Sequence, residues 1–289
     1  MAVSRAPRTA SARRDRSAVR AEADDVTASP DARMAIPAED RDFVAALARG
    51  FAVLRTFSYK RRRLSIAQIS HRTGVSRASV RRSLHTLVVL GYVGEDDAQR
   101  YFLRPAVLEF ADAYLSATPL AFVAQPVLDR TSEALGEACS IGILDGDEIV
   151  YLARSVSSRI ISPTLNVGRR LPAYCTSIGQ VLLAELPKEK LRAYLAGAKL
   201  HAYTELTVTS REELRKLLEA TAQAGYAVAD QQMEAGYCTI AVPVRDGAGV
   251  AVAGINVVLP SRRAPVRTMT SRYVPALQRA AEELRVLLS

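Results

Sequence analysis

Between residues 65 and 91 the chain places two helix starts and two helix stops in close succession, a spacing that few folds accommodate. Ser65-Ile66-Ala67-Gln68 is a capping box, with a hydroxyl at the N-cap and a glutamine three residues on. The short helix it opens carries Ile66 and Ile69 on one face and meets Gly74, a residue suited to a left-handed helix stop. Val75, in the turn, is expected to be buried. Ser76 caps a second helix that runs to Leu90 and ends at Gly91. Val80, Leu84, Leu87 and Val88 form its apolar stripe, while Arg77, Ala78, Arg81, Arg82 and His85 fall on a different face. Two short helices joined by a glycine-containing turn, the second basic on its outer face, describe a helix-turn-helix. Tyr92-Val93 and residues 100–103 flank Glu95-Asp96-Asp97-Ala98 and read as a two-stranded hairpin, the place of a wing. The acids at its tip are expected to hold it off phosphate or in solvent.

Charge separates this region from the rest. Residues 36–104 hold 13 basic and 6 acidic groups, whereas residues 105–289 hold 19 of each. No acidic residue occurs between Asp42 and Glu95, a stretch that contains Lys60, Arg61, Arg62, Arg63 and Arg72 besides the helix arginines. A polyanion is the direct partner for such a segment, because each neutralised phosphate releases counterions. An ordinary solvated basic face is the plain alternative.

With 289 residues the chain has room for about two domains. No apolar run approaches the ~18–20 residues that span a bilayer, so a membrane partner is not expected. The three cysteines, Cys139, Cys175 and Cys238, are odd in number and widely spaced, which fits neither a disulfide framework nor a zinc motif and points to a reducing, cytoplasmic setting. Only His71, His85 and His201 are present, which argues against a metal site and most histidine catalysis. No cofactor is implied.

Residues 1–36 lack apolar periodicity and read as a disordered basic arm without the apolar core of a secretory signal. Residues 41–57 have helical spacing, with a break or bend expected near Gly50. A winged helix-turn-helix domain is thus assigned to 37–104 and a connecting helix to 105–118, bounded by Pro105 and Pro119. The remaining domain, 119–289, opens with a helix at 120–135. Strands follow at 138–144 and 148–153 around Asp145-Gly146-Asp147, with a further one at 160–167. Helices are expected at 176–186, 188–195 and 210–224, then strands at 226–230, 239–245 and 250–259, and a closing helix at 269–288. Without regular βαβ alternation, this is an α+β domain with a largely antiparallel sheet.

In the large domain, Gly168-Arg169-Arg170-Leu171-Pro172-Ala173-Tyr174-Cys175-Thr176-Ser177-Ile178-Gly179 leads into a helix start. Free N–H groups there suit a carboxylate, and Arg169 or Arg170 would add charge; equally, Thr176 or Ser177 simply caps the helix and the arginines face solvent. Cys175 just before a helix start is a candidate for a lowered pKa, but its one candidate base in this domain is His201, and burial as a small hydrophobe is the default for all three cysteines. Asp230, ending an apolar strand, either bonds a ligand hydroxyl or begins a turn.

Taken together, Leu64-Ser65-Ile66-Ala67-Gln68-Ile69, Thr73-Gly74-Val75-Ser76-Arg77-Ala78-Ser79-Val80-Arg81-Arg82 and Leu90-Gly91-Tyr92-Val93 resemble the winged helix-turn-helix of the isocitrate lyase regulator (IclR) family. The resemblance continues through Gly168 to Ala173, Gly225-Tyr226-Ala227, Asp230-Gln231 and Ile240-Ala241-Val242-Pro243-Val244, covering about residues 42–288. The Leu-Pro-Ala-Tyr-Cys-Thr-Ser stretch is most similar to the branch that regulates protocatechuate, 4-hydroxybenzoate and catechol catabolism. The resemblance implies a homodimer or dimer of dimers on a double-stranded DNA operator, with a GAF-like domain that binds a small organic acid. It puts the effector carboxylate at Ser177 and Ile178, with Arg169, Tyr174, Thr176, Asp230, Thr239, Asn256 and Val258 around the pocket. Three departures stand out: Gln232 replaces a usual Glu, Gln180 a Lys or Arg, and Tyr237-Cys238-Thr239 a Leu-Arg-Ser. Cys238 and Val258 are expected to make the pocket less polar.

The resulting reading is a transcriptional regulator, not an enzyme. Ser65, Ser76, Arg77, Ala78, Ser79, Arg81, Arg82 and His85 are its candidate DNA-binding residues, with the serines expected to cap or bind phosphate. Two rivals remain at this stage: a thiol redox sensor on the same fold, and an enzyme with an accessory DNA-binding domain.

Overall fold

The Ser65 capping box forms as the sequence predicts. In the computed structural model, which describes residues 40–155, 166–262 and 265–288, the Gln68 amide donates to Ser65 Oγ at 3.3 Å and the Ser65 amide to Gln68 Oε1 at 2.9 Å. Helix α2 (Ile66–Thr73) ends at Gly74, whose φ of +70° is the left-handed stop. Ser76 Oγ accepts from the Ser79 amide and opens α3 (Arg77–Val89), and Gly91 follows at φ +83°. Helix α1 (Ala45–Arg55) precedes them and runs unbroken through Gly50. The expected break is absent because one glycine costs a helix only ~1 kcal/mol, which the burial of Ala52 and Val53 outweighs. Strands β1 (Val93–Glu95) and β2 (Tyr101–Leu103) pair antiparallel, and Leu64 joins their edge through two backbone bonds to Tyr101. Val53, Phe57, Leu64, Ile69, Val80, Leu84, Val93 and Tyr101 are the core of this unit, which lies before Val107. Val75 is half-buried against that core rather than inside it.

The second unit, from Val107, begins with α4 (Leu108–Ser116) and α5 (Pro119–Leu135). Its six-stranded sheet contains β3 (Ala138–Asp145), β4 (Glu148–Ser155), β5 (Arg170–Pro172), β6 (Ala227–Asp230), β7 (Tyr237–Arg245) and β8 (Ala251–Pro260). The strand order is β5-β4-β3-β8-β7-β6, and every pairing is antiparallel. Helices α6 (Ser177–Ala184), α7 (Lys188–Gly197), α8 (Arg211–Ala224) and α9 (Val266–Leu287) complete it. Alternation along the strands sorts two cores. Ile141, Ile255, Val257, Ile240 and Val242 face α5 and α9, while Tyr151, Ala227 and Ala241 share the other core with Ile178 and Leu182 of α6 and Leu214 of α8. Because helices cover both faces, β3 and β8 are buried along most of their length instead of alternating in and out.

Strand β5 is absent from the sequence reading, since three residues give no periodicity to detect. The arm assigned to residues 1–36 lies outside the described residues. So does most of the strand expected at 160–167, of which only Asn166 and Val167 are described, neither of them in a strand.

Candidate functional site

A groove of about 520 Å³ opens between α3 and the hairpin. Arg77, Arg81 and His85 line it from the helix, Ser65, Ile66 and Ala67 from the start of α2, and Glu95, Ala98, Gln99 and Tyr101 from the hairpin. Arg77, Ala78, Arg81, Arg82 and His85 are all exposed, and the three arginines make no ion pair among the described residues. Arg82 is exposed on α3 without lining the groove. Ser65 and Ser76 spend their hydroxyls on helix caps, and Ser79 gives its amide to the Ser76 cap. Of the hairpin acids, Glu95 and Asp97 are exposed to solvent, and Asp96 is half-buried. Its carboxylate accepts the Ala98 and Arg100 amides at 3.1 and 2.8 Å and pairs with Arg63 at 2.8 Å. The backbone bond from Arg100 leads the causes that hold its carboxyl below the ordinary value. Arg63 in turn stacks over Phe102, 4.6 Å from the ring centroid, so the tip is built by the basic loop instead of being repelled by it.

In the second unit a cavity of about 70 Å³ lies between the sheet and the segment leading into α6. Tyr151, Arg154, Ala229, Tyr237, Thr239, Asn256 and Val258 line it from the strands, Leu171, Cys175 and Thr176 from the α6 side, and Met233 and Glu234 from the loop after β6. Thr176, Thr239, Asn256 and Val258 therefore meet as a group. Ser177 and Ile178 follow at once in the helix. Thr176 Oγ1 accepts the Gly179 amide at 3.3 Å, and the Gln180 amide bonds Thr176 O at 2.8 Å. That leaves the Ser177 and Ile178 amides without an acceptor inside α6, at the positive end of its dipole. Ser177 Oγ is buried there with no partner. Gly179 is what lets the segment fold back so closely: a Cβ on it would lie 2.1 Å from Ala173 O.

Several expected pocket residues sit elsewhere. Tyr174 is 3% exposed, but its hydroxyl donates to His201 O at 2.7 Å and accepts from the His201 amide at 2.8 Å, outside the cavity lining. Asp230 pairs in register with Cys238, which packs in the α5/α9 core on the opposite face of the sheet from Thr239. Cys238 thus contributes nothing to pocket polarity, and Asp230, with Oδ1 buried and unpartnered, shares the Cys238 face and does not line the cavity. Arg169 is half-buried. Its carbonyl accepts the Tyr151 amide at 3.0 Å, and its positive charge acts on the Tyr151 hydroxyl. Burial pushes that hydroxyl up to about 12, opposed by Arg154, Arg169 and a hydrogen bond from Asn256. Burial likewise lowers the Arg154 guanidinium.

Tyr151, Arg154, Met233 and Glu234 were missed from the sequence. An arginine ending the apolar run Tyr151-Leu152-Ala153 was the available signal, since a charged side chain in a buried strand is there for a partner. The departures Gln180 and Gln232 prove to be neighbours. Gln180 Nε2 donates to Gln232 Oε1 at 3.1 Å and to Tyr174 O at 3.0 Å, so a neutral amide bridge ties α6 to the loop after β6.

All three cysteines are buried, and desolvation pushes each thiol up to about 12. Cys175 lies 3.6 Å from Met233 Sδ, in surroundings that disfavour a thiolate. Among the described residues no group of three or more His, Cys, Asp or Glu side chains is arranged to hold a metal. No single helix among them is long and apolar enough to cross a membrane.

Comparison with known proteins bears on both halves. Residues 46–97 match the IclR helix-turn-helix domain, and residues 112–286 match the family described as bacterial transcriptional regulator IclR C-terminal. The Pca regulon regulatory protein of Pseudomonas putida is 45% identical over 260 residues, 90% of this chain and 89% of that protein. The p-hydroxybenzoate hydroxylase transcriptional activator of Acinetobacter baylyi is 34% identical over 252 residues, covering 86% and 93%. Among solved structures, an IclR homolog complexed with 4-hydroxybenzoate from Microbacterium hydrocarbonoxydans has a TM-score of 0.71 at 28% identity, covering 84% of this chain and 98% of that one. On these matches, with the winged helix-turn-helix and the second domain both in place, the chain belongs to the IclR family of bacterial transcriptional regulators.

Proposed function

We propose that this regulator changes its hold on a double-stranded operator when an aromatic acid, or an acid from ring cleavage, enters the cavity beside α6. The single observation that carries the reading is a cavity bordered by a helix start with free amides at Ser177 and Ile178, in a chain whose relatives are named for aromatic-acid pathways. A carboxylate is the ligand group such a helix start favours. Arg169 and Arg154 supply further positive charge around Tyr151, while Thr176, Thr239, Asn256 and Val258 give the cavity its mixed lining. Cys139, Cys175 and Cys238 are all too buried and too weakly acidic for thiol sensing to compete. The family and its named relatives are regulators, which removes the enzyme reading.

In the first unit, Arg77, Arg81 and His85 enter the major groove with α3, and Arg82 and the caps at Ser65 and Ser76 lie toward phosphate. The working form is a homodimer or a dimer of dimers in the cytoplasm. Leu108, Phe110, Tyr114 and Phe122 on α4 and α5 are exposed apolar side chains that a second copy would cover. Domain limits of 37–104, 105–118 and 119–289 suit this division of labour.

Thermal unfolding with benzoate, 4-hydroxybenzoate, protocatechuate and the ring-cleavage acid cis,cis-muconate, alongside acetate and pyruvate, tests the reading. A ligand that binds only the folded state raises the midpoint by mass action. The expected result is a rise with at least one aromatic acid, abolished by Ser177→Pro. A midpoint unmoved by every aromatic and ring-cleavage acid would refute the effector half.

A further inference from the structure

Among the residues that line the groove between α3 and the hairpin, Glu95 is the one acid. Arg77, Arg81 and His85, spaced four apart on one face of α3, stand across from it. Asp96 is spent on the hairpin and on Arg63, whereas Glu95 is exposed and makes no ion pair among the described residues. Glu95 lies opposite Tyr101 in the β1–β2 ladder, so the two side chains share one face of the hairpin, the face that packs Val93 into the core. Tyr101 belongs to that core and is 8% exposed, yet it also lines the groove. Its hydroxyl donates to the Glu95 carboxylate and feels the charge of Arg81.

A carboxylate in a groove that meets phosphate needs a reason. Facing DNA it repels the backbone, and as an acceptor for the Tyr101 hydroxyl a neutral glutamine would serve as well. What a carboxylate does better is hold a guanidinium. Arginine carries five N–H donors in a planar fork. Two of them go to O6 and N7 when it reads guanine, and the others stay available to an acceptor on the protein side. An arginine held in this way meets the base already ordered, whereas an unheld one loses the freedom of its long side chain on binding. Arg81 and Glu95 are both without an ion pair among the described residues, so neither has a competing partner.

We infer that Glu95 is a positioning residue for DNA recognition: with Tyr101 it holds Arg81 in the orientation that reads a base, and so sets sequence preference without touching DNA. The inference rests on base readout by Arg81. A double-mutant cycle on the full chain tests it. Fluorescence anisotropy gives the affinities for a duplex that the native protein selects from random sequence and for its scrambled counterpart, and the ratio of the two is compared. Relief of phosphate repulsion tightens both duplexes alike and cancels in that ratio. Glu95→Gln keeps an acceptor for the Tyr101 hydroxyl and removes the charge. It should lower the ratio about threefold to fivefold, the scale of an ion pair near a surface, and leave the ratio of the Arg81→Ala protein unmoved. Glu95→Ala should lower it as far or further, and guards against the glutamine amide replacing the carboxylate. A ratio unchanged by both substitutions reduces Glu95 to a partner of the Tyr101 hydroxyl and overturns the inference. An equal fall with and without Arg81 puts Glu95 on the DNA itself and overturns it too, with base readout by Arg81 left standing. Should Arg81→Ala alone keep the native ratio, base readout by Arg81 is refuted and this inference with it.

Discussion

Cys175 shows how a residue's setting overrides its position in sequence. Lying just before a helix start, it has the address of an activated thiol. Burial against Met233 raises its pKa to about 12, and Cys139 and Cys238 behave alike. The native chain should therefore show no fast-reacting thiol toward Ellman's reagent at pH 7–8, with all three appearing on denaturation; one or more fast-reacting thiols would bring back the redox reading. The same shifts set a pH dependence. The unfolded thiols ionise near the ordinary 9.0 and the folded ones near 12, so the unfolded chain releases protons first as pH rises. Stability attributable to these groups is intact below about pH 9 and declines from there toward pH 12, which urea unfolding across that range would register. A stability that rises over the same interval would contradict the assignment.

At the scale of elements, α3 and the hairpin make one surface and α6 makes another. The first was legible because its signals are local: the Ser65 and Ser76 caps and the Gly74 and Gly91 stops all lie within a few residues of what they control. The pocket was legible only in part. Thr176, Ser177 and Ile178 were visible from the helix start, but Ser140 and Arg154 join Asn256 through strand pairings between segments far apart in sequence. Asp230 was left between two readings, and its strand's alternation and its register pairing with Cys238 put it on the α5/α9 face. Gly50 misled for the opposite reason, a weak local preference yielding to packing. For α3, the position of Arg81 in the groove predicts base readout. Arg81→Ala should flatten the preference between operator and scrambled duplex, at ~1–3 kcal/mol of lost discrimination. A uniform loss on both duplexes, with a shallower salt dependence, would place Arg81 on phosphate instead.

For the whole molecule, the two units divide the work between a cationic DNA-binding domain and a nearly neutral domain with a cavity. Regulation requires that ligand in one alter DNA affinity in the other, a coupling that typically amounts to 1–3 kcal/mol. Leu108, Phe110, Tyr114 and Phe122 on α4 and α5 are exposed apolar side chains. The most direct test is the affinity of the full chain for a duplex it selects from random sequence, measured by fluorescence anisotropy with and without each aromatic acid of the panel. The account predicts that at least one acid changes that affinity by about fivefold or more, and that Ser177→Pro abolishes the change while leaving acid-free binding intact. An affinity identical with and without every acid, in a protein that binds the duplex well, would contradict it.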